Sequence, residues 1–270
     1  MTLSEYQSTP QLKVGRISGN NFKHREVIYQ VIYAKGPVSH KPVALAIFEG
    51  DIILGTVAQI EAVSCREEVM KLRQEGMPTK TDRYRWLEGK IPYLIALDLP
   101  DKDAVLGAIE HWKSNTGIQF IALASQTSNQ FKDRVLFAPT ELSVCYSAVG
   151  RQGGEQNILL SEGFTRGKVI HEIGHIVGLY HEQSRKDRDN YVTIHLENVI
   201  PKMESNFQQM LSDGDEIGDY DYGSIMHYSS TEFTKNGQPT IVAKNGAPIG
   251  QRDGLSKGDI DAVKAIYPNL

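Results

Sequence analysis

The sequence has few of the features that would place it in a specialised class of protein. Two cysteines in 270 residues are too few for a disulfide-rich scaffold. The formal net charge of −4 leaves no basic excess, so nucleic acid is not expected as a partner. No apolar run approaches the roughly 18 residues that a membrane span requires, so no span is expected. With 40% hydrophobic residues, the chain can still build a substantial core.

Neither the first residues nor the cysteines decide the compartment. Residues 1–6 lack the charged and then apolar pattern of a secretory signal. Two interpretations therefore stay open, since the protein either remains inside the cell or has lost a signal. Cys65 and Cys145 permit one disulfide bridge or two free thiols.

A polar stretch with glycine and proline, residues 75–83, separates two parts of the chain. The first part, residues 1–76, is predicted to be rich in β-structure. Its predicted elements are strands at 27–33, 42–47 and 51–60 and a short helix at 67–74.

The second part, residues 77–270, mixes strand and helix patterns, which indicates an α+β fold. Its predicted strands are 91–97, 118–121, 135–137, 142–149 and 157–160, and its predicted helices are 101–115, 165–179 and 256–267.

The informative segment is residues 171–181, HEIGHIVGLYH. On a helix, His171 and His175 lie one turn apart and face the same way. Zinc accepts imidazole nitrogen at about 2.0–2.1 Å, so both rings can bind one ion. Glu172 can reach a water molecule at the metal, where it would act as a general base.

His181 joins this pair only if the helix ends before it. On an unbroken helix, His181 would lie about 15 Å along the axis from His171. Gly178 stands where the turn is needed, and glycine enters a left-handed helix cap at little cost. Three histidines leave zinc an open position, which is typical of a catalytic site. We therefore expect one Zn²⁺ per chain.

Chance is a weak explanation for this pattern. The five-residue H-E-x-x-H match alone arises in a chain of this size at a frequency on the order of 1 in 100. Gly178 and His181 at the required offsets reduce that frequency by a further factor of roughly a thousand. Three unrelated surface histidines are therefore disfavoured.

Residues 171–194, HEIGHIVGLYHEQSRKDRDNYVTI, resemble the signature of the astacin family of zinc metalloendopeptidases. Residues 224–228, SIMHY, resemble the methionine turn of the wider metzincin group. The resemblance extends over about residues 77–268 through Trp86, 91–93, 145–146, 149–151, 255–256 and 266–267. It implies a metzincin-type domain, with a twisted mixed sheet and long helices around a cleft, preceded by a small β-rich pro-segment.

The resemblance also implies roles for individual residues. The three histidines would bind zinc and Glu172 would activate water. Tyr228 would bind zinc at rest and then swing to hold the oxyanion of an attacked peptide carbonyl. Met226 would be a packing floor under the site. Glu182 would pair, buried, with the new N-terminus that forms on cleavage near residues 76–77.

Lys244 lies where many relatives place a basic residue. In those relatives the residue selects an acidic side chain just after the scissile bond. A solvated surface lysine is an equally simple interpretation, so specificity stays open.

Residues 48–51, FEGD, resemble the family's F-x-G-D pro-segment motif, in which the aspartate binds zinc in place of water. Asp51 would then lock the site, and Gly50 would allow a sharp turn into the cleft. An ordinary turn between two strands is the alternative.

Cys65 is the second candidate for the lock, because a thiolate is also a zinc ligand. It could instead bridge to Cys145 or pack as a small apolar group. Relatives pair the cysteine at position 145 with another about 20 residues later, whereas this chain has SEGF at 161–164.

Together these patterns predict a zymogen of a secreted zinc endopeptidase that cuts protein or peptide substrates and is activated by another protease. Two rival functions are a zinc-binding adhesion or inhibitor module without catalysis and a zinc hydrolase of non-peptide substrates. The presence of Glu172 and Tyr228 disfavours the first, and the methionine turn disfavours the second.

Overall fold

The structure, a computed structural model, describes residues 11–19, 22–35, 42–64, 84–124, 130–209 and 216–270. The N-terminal part forms a four-stranded antiparallel sheet in the order β1-β2-β3-β4. Its elements are β1 (Gln11–Gly19), β2 (Phe22–Lys35), β3 (Pro42–Phe48) and β4 (Ile52–Thr56), followed by α1 (Val57–Ser64). The turn between β3 and β4, residues 49–51, contacts the C-terminal part of the chain.

The prediction of a strand at 51–60 was wrong in its second half, because β4 ends at Thr56 and α1 begins at Val57. The Thr56 backbone N–H donates to Gln59 Oε1 at 2.8 Å, and the Gln59 backbone N–H donates to Thr56 Oγ1 at 3.2 Å. This reciprocal pair is a capping box, which starts a helix. The predicted helix at 67–74 and the linker at 75–83 lie outside the described residues.

The C-terminal part contains a parallel sheet and three helices. In chain order its elements are β5 (Lys90–Ile95), α2 (Lys102–Asn115), β6 (Gln119–Ala122), β7 (Arg134–Pro139), β8 (Glu155–Leu160), α3 (Arg166–Val177), β9 (Val192–Ile194), β10 (Ile241–Ala243) and α4 (Lys257–Ile266). The sheet order is β6-β5-β7-β8, and β9 pairs with β10 separately. One-turn 3₁₀ helices lie at Leu87–Gly89, Glu182–Ser184, Arg188–Asn190, Leu196–Asn198 and Glu204–Phe207.

The predicted strand at 142–149 forms only two isolated bridges among the described residues. Tyr146 pairs antiparallel with Leu159 of β8, and Ser147 pairs parallel with Ile52 of β4. The segment therefore lies at the edge of the C-terminal sheet and connects it to the N-terminal part. The segment is not one regular strand, because its backbone partners come from two separate parts of the chain.

Helix α3 is buried on all sides from Val169 to Val177, and two tryptophans hold its backbone in place. Trp112 of α2 donates its indole N–H to the Ile170 carbonyl at 3.0 Å, and Trp86 donates to Ile176 at 2.9 Å. Both indoles are almost fully buried. A helix that is enclosed all round holds its side chains in fixed directions, which matters for the histidines that α3 carries.

Helix α4 fixes the methionine turn. Ser256 caps α4 in a capping box with Asp259. The Asp259 carboxylate also accepts hydrogen bonds from Ser224 Oγ at 2.6 Å and from the Ile225 backbone N–H at 2.9 Å. One buried carboxylate thus ties the start of a helix to the loop beneath the histidines.

Candidate metal centre and cleft

Three imidazoles meet at the C-terminal end of α3. The helix ends at Gly178, whose φ of 123° lies in the region that favours glycine, and whose N–H donates to the carbonyls of Gly174 and His175. The chain then turns back, so that His181 Nε2 lies 3.3 Å from His171 Nε2. The ring of His175 lies edge-on to both, at centroid distances of 4.8 Å to His171 and 4.7 Å to His181.

Each imidazole is oriented by a hydrogen-bond acceptor next to its Nδ1 atom, the ring nitrogen that faces away from the cluster. His171 Nδ1 lies 2.8 Å from the Ile225 carbonyl, and His175 Nδ1 lies 2.9 Å from the Leu179 carbonyl. His181 Nδ1 lies 3.0 Å from Glu49 Oε2. Carbonyl oxygens only accept, so Nδ1 carries the proton in His171 and His175, and Nε2 is left to bind a cation.

Asp51 lies over the three rings. Its carboxylate oxygens are 3.3 Å from His171 Nε2, 3.6 Å from His175 Nε2 and 3.2 Å from His181 Nε2. Burial raises the pKa of Asp51, but the charge of His181 holds it well below its usual value. Burial lowers the pKa of His171 to about 3, so this ring is neutral.

These four residues fit a zinc ion. One ligand atom from each lies within 4.8 Å of the others. His175 Nε2 and Asp51 Oδ1 are buried and have no hydrogen-bond partner among the described residues. Unpaired buried polar atoms are costly, and a cation between them would satisfy both. Imidazole nitrogen and carboxylate oxygen are the donors that catalytic zinc uses.

Glu172 lies on α3 beside the first histidine and is buried. Its Oε2 accepts a hydrogen bond of 2.5 Å from Ser147 Oγ. Burial and the charge of Asp51 raise the pKa of Glu172 well above its usual value, and the Ser147 hydrogen bond acts in the opposite direction. A raised pKa suits a carboxylate that takes up a proton during a reaction.

Met226 and Tyr228 both belong to the segment that resembles the methionine turn, residues 224–228. The Tyr228 ring lies 4.7 Å from the His181 ring between centroids, and its hydroxyl donates to the Glu49 backbone carbonyl. Burial and the charge of Asp51 raise the pKa of Tyr228 well above its usual value, so the hydroxyl keeps its proton. Met226 packs against Gly174, where a Cβ would lie 2.5 Å from the methionine sulfur.

Glu182 follows His181 in the chain and lines a small cavity. Its Oε1 accepts from the Asp221 backbone N–H at 2.7 Å and lies 3.5 Å from Arg185 Nη1. Burial raises the pKa of Glu182 to about 7. The cavity is about 50 Å³, and its lining includes the carboxylate residues Glu182, Asp219, Asp221 and Asp259.

Lys244 and Cys145 do not belong to the cluster of metal-binding candidates among the described residues. Lys244 is exposed, and its ammonium donates to the Asp189 carbonyl. Cys145 carries a free, buried thiol that lies 3.5 Å from Ser161 Oγ. Cys65 lies outside the described residues.

Sequence reasoning missed two contacts. Glu49 occupies the free position of the F-x-G-D motif, so the motif gave no signal for its contact with His181. Ser147 lies in the predicted strand 142–149, and its hydroxyl carried no spacing signal toward Glu172. Both contacts appear only when distant parts of the chain come together.

Comparison with known proteins identifies the family of this fold and site. The family model described as Astacin, a family of peptidases, matches residues 78–268. The chain belongs to the astacin family. This result confirms the predicted family, its zinc cofactor and its metzincin-type fold.

Individual astacin relatives extend the comparison. Zinc metalloproteinase nas-15 of Caenorhabditis elegans is 37% identical over 196 residues, covering 67% of this chain and 32% of the relative. Blastula protease 10 of Paracentrotus lividus is 33% identical over 228 residues, covering 82% of this chain and 38% of the relative. The chain thus spans about a third to two fifths of the length of these relatives.

A solved astacin-type structure shows the same fold. High choriolytic enzyme 1, a hatching enzyme zinc-protease from the medaka Oryzias latipes, matches with a TM-score of 0.63 and 31% identity. The match covers 72% of this chain and 99% of that one. In the part of the chain that the structure describes, no helix is both long enough and apolar enough to span a membrane.

Proposed function

We propose that the chain is a zinc endopeptidase in which His171, His175 and His181 bind the metal and Glu172 is the general base. The observation that carries the proposal is the convergence of three Nε2 atoms, each oriented by an acceptor on Nδ1, beside a buried carboxylate. Three protein nitrogens leave zinc room for a further ligand, as catalysis requires.

The chain's own residues would divide the work of hydrolysis. When bound, zinc supplies Lewis acidity that makes water a better nucleophile at neutral pH. Glu172 would accept the proton that this water loses and deliver it to the leaving amine. Tyr228 would donate its hydroxyl hydrogen to the oxyanion of the peptide once its bond to Glu49 is broken.

The cleft is built to bind an extended polypeptide. The Ser147 backbone N–H donates to the Asp51 carbonyl at 3.0 Å, and the Ile53 backbone N–H donates to the Ser147 carbonyl at 2.8 Å. Residues 51–53 thus extend the edge of the C-terminal sheet by one strand. This is the contact that an extended peptide makes with a sheet edge, and it favours a protein or peptide substrate.

We further propose that residues 1–76 are an inhibitory pro-segment and residues 77–270 the peptidase domain. Asp51 takes the position that a substrate would need, and the same segment engages Tyr228 through Glu49. The match to blastula protease 10 supports this division, because it covers a larger share of the chain than residues 78–268 do.

Activation would then require a protease that cuts near residues 76–77. The new N-terminal ammonium would enter the acidic cavity beside Glu182, whose present partners are Asp221 and Arg185. Such an enzyme would act outside the cell, in keeping with family relatives. Lys244 is exposed and would select acidic side chains after the scissile bond by exchanging its hydrogen bond to the Asp189 carbonyl for one to the substrate.

The test is hydrolysis of a fluorogenic peptide by the full chain after limited proteolysis. Glu172→Gln should retain one zinc per chain and lose hydrolysis by about 10²–10⁴-fold, as removal of a general base does. Exposed Glu162→Gln is the matched control and should behave as wild type. Retained turnover in Glu172→Gln would remove the general-base role. A wild-type chain that binds zinc but hydrolyses nothing would indicate a non-catalytic zinc module.

A further inference from the structure

Ser147 touches the catalytic carboxylate and the chain in the cleft at the same time. Its Oγ lies 2.5 Å from Glu172 Oε2 and 3.1 Å from the Glu172 backbone carbonyl. Its backbone N–H and carbonyl bond to Asp51 and Ile53 on the other side. The side chain of Ser147 is fully buried, so water does not compete for its hydroxyl.

A serine hydroxyl has one hydrogen to donate, and two oxygens of Glu172 are within reach. The contact to the carboxylate, at 2.5 Å, is shorter than the contact to the backbone carbonyl, at 3.1 Å. The hydroxyl is therefore directed at the carboxylate. Among the described residues, Ser147 is the hydrogen-bond donor to the Glu172 side chain.

The backbone and the side chain of Ser147 connect substrate binding to the position of the Glu172 carboxylate. Residues 51–53 hold the Ser147 backbone through two hydrogen bonds, and a substrate strand in the same place would do so too. The Cβ and hydroxyl of a residue follow its backbone. A chain bound along this edge thus fixes the donor that holds the catalytic carboxylate.

We propose that Ser147 is a positioning residue for the general base, which keeps Glu172 Oε2 in a fixed place when a peptide occupies the cleft. This inference rests on the proposed peptidase function and adds a residue to it. Removing the hydroxyl frees the carboxylate to rotate but leaves the backbone N–H and carbonyl of residue 147 in place. The effect therefore belongs to kcat and not to KM.

The experiment uses the full chain, activated by limited proteolysis, with initial rates measured over a range of peptide concentrations. Ser147→Ala should lower kcat by about 10-fold or more, with KM within about two-fold, because the base is misplaced in the chemical step while the backbone contacts of residue 147 to the peptide remain. Ser161→Ala is the matched control, since Ser161 is also buried and its hydroxyl contacts the thiol of Cys145 instead of Glu172. It should leave both constants unchanged.

A second variant protects the test against a folding defect. Ser147→Cys fills the same space with a weak donor, so its kcat should fall between those of wild type and Ser147→Ala. If Ser147→Ala fails to fold, as judged by its unfolding temperature, Ser147→Cys decides. Full kcat in the folded variants, or a rise in KM at constant kcat, would overturn the positioning role.

The outcome separates this inference from the function on which it rests. Active wild type with unaffected Ser147 variants would refute the positioning role alone. Wild type without zinc-dependent hydrolysis would refute the proposed function, and the positioning role with it.

Discussion

Glu49 Oε2 lies 3.0 Å from Nδ1 of His181, so a residue of the turn between β3 and β4 orients an imidazole of the cluster. The other two imidazoles take their Nδ1 acceptors from backbone carbonyls of the C-terminal part. Glu49 is buried, and its φ of 46° lies in a region that non-glycine residues rarely adopt. A strained backbone at this point is consistent with a functional demand on the side chain.

The first prediction concerns how tightly the intact chain holds zinc. Outer partners of metal-binding histidines contribute about 10–100-fold to metal affinity. Glu49→Gln should therefore make the intact chain release zinc about 10-fold faster to a chromophoric chelator. The comparison after removal of residues 1–76 is the matched control, since Glu49 is then absent from both proteins. A difference that persists after removal would contradict the role given to Glu49.

The second prediction concerns the lock. Asp51→Ala should give an intact, uncleaved chain that hydrolyses a fluorogenic peptide, because the carboxylate no longer lies over the three imidazoles. Electrophoresis confirms that the chain is uncut, and Cys65→Ala is the parallel variant. Silence in Asp51→Ala together with activity in Cys65→Ala would make the cysteine the lock.

The third prediction concerns the close packing of the start of α3 against the backbone at Arg252. At Gly167 an added Cβ would lie 1.8 Å from the Arg252 carbonyl oxygen. Gly167→Ala should therefore cost about 1–3 kcal/mol of unfolding free energy, since backbone atoms must move. Gly107→Ala is the matched control within α2, where the nearest atom is Arg166 Cδ at 3.2 Å on a flexible side chain. It should gain up to about 1 kcal/mol from helix propensity.

Urea unfolding of both variants measures these differences. If Gly107→Ala lowers the free energy of unfolding as much as Gly167→Ala does, the contact with the Arg252 carbonyl is not the cause of the destabilisation.

The fourth prediction concerns Glu182. If the new N-terminal ammonium pairs with this carboxylate after cleavage, Glu182→Gln should destabilise the cleaved form by about 3–5 kcal/mol, as loss of one partner of a buried pair does. In the intact chain burial raises the pKa of Glu182 to about 7, so the carboxyl group is partly neutral and Gln is a close replacement. Thermal unfolding of both forms tests this, and equal losses in the two would argue against the pairing.

Sequence reasoning reached furthest where the pattern was local. Helix α3 and the break at Gly178 follow from spacing within eleven residues, because helix periodicity and glycine caps act over single turns. The capping box of Thr56 and Gln59 is equally local and was overlooked, which explains the error at 57–60. The T-x-x-Q spacing was available in the sequence.

The contacts that could not be predicted link residues far apart in the chain. Glu49 and His181 are separated by 132 positions, and Ser147 and Glu172 by 25. No periodicity or spacing rule connects such pairs, since their distance depends on how whole sheets pack. The regular strand predicted at residues 142–149 did not form for a related reason. Half of that segment's backbone partners belong to the distant residues 51–53, which a local pattern does not reveal.

If the chain is the proposed zymogen, the way Asp51 enters the cleft would explain how the N-terminal segment survives beside the proposed catalytic site. Its side chain faces the three imidazoles, whereas its main-chain carbonyl is turned to the N–H of Ser147. No peptide carbonyl of this residue is presented for attack. In the proposed zymogen, this orientation of Asp51 would protect residues 51–53 from self-cleavage at this point.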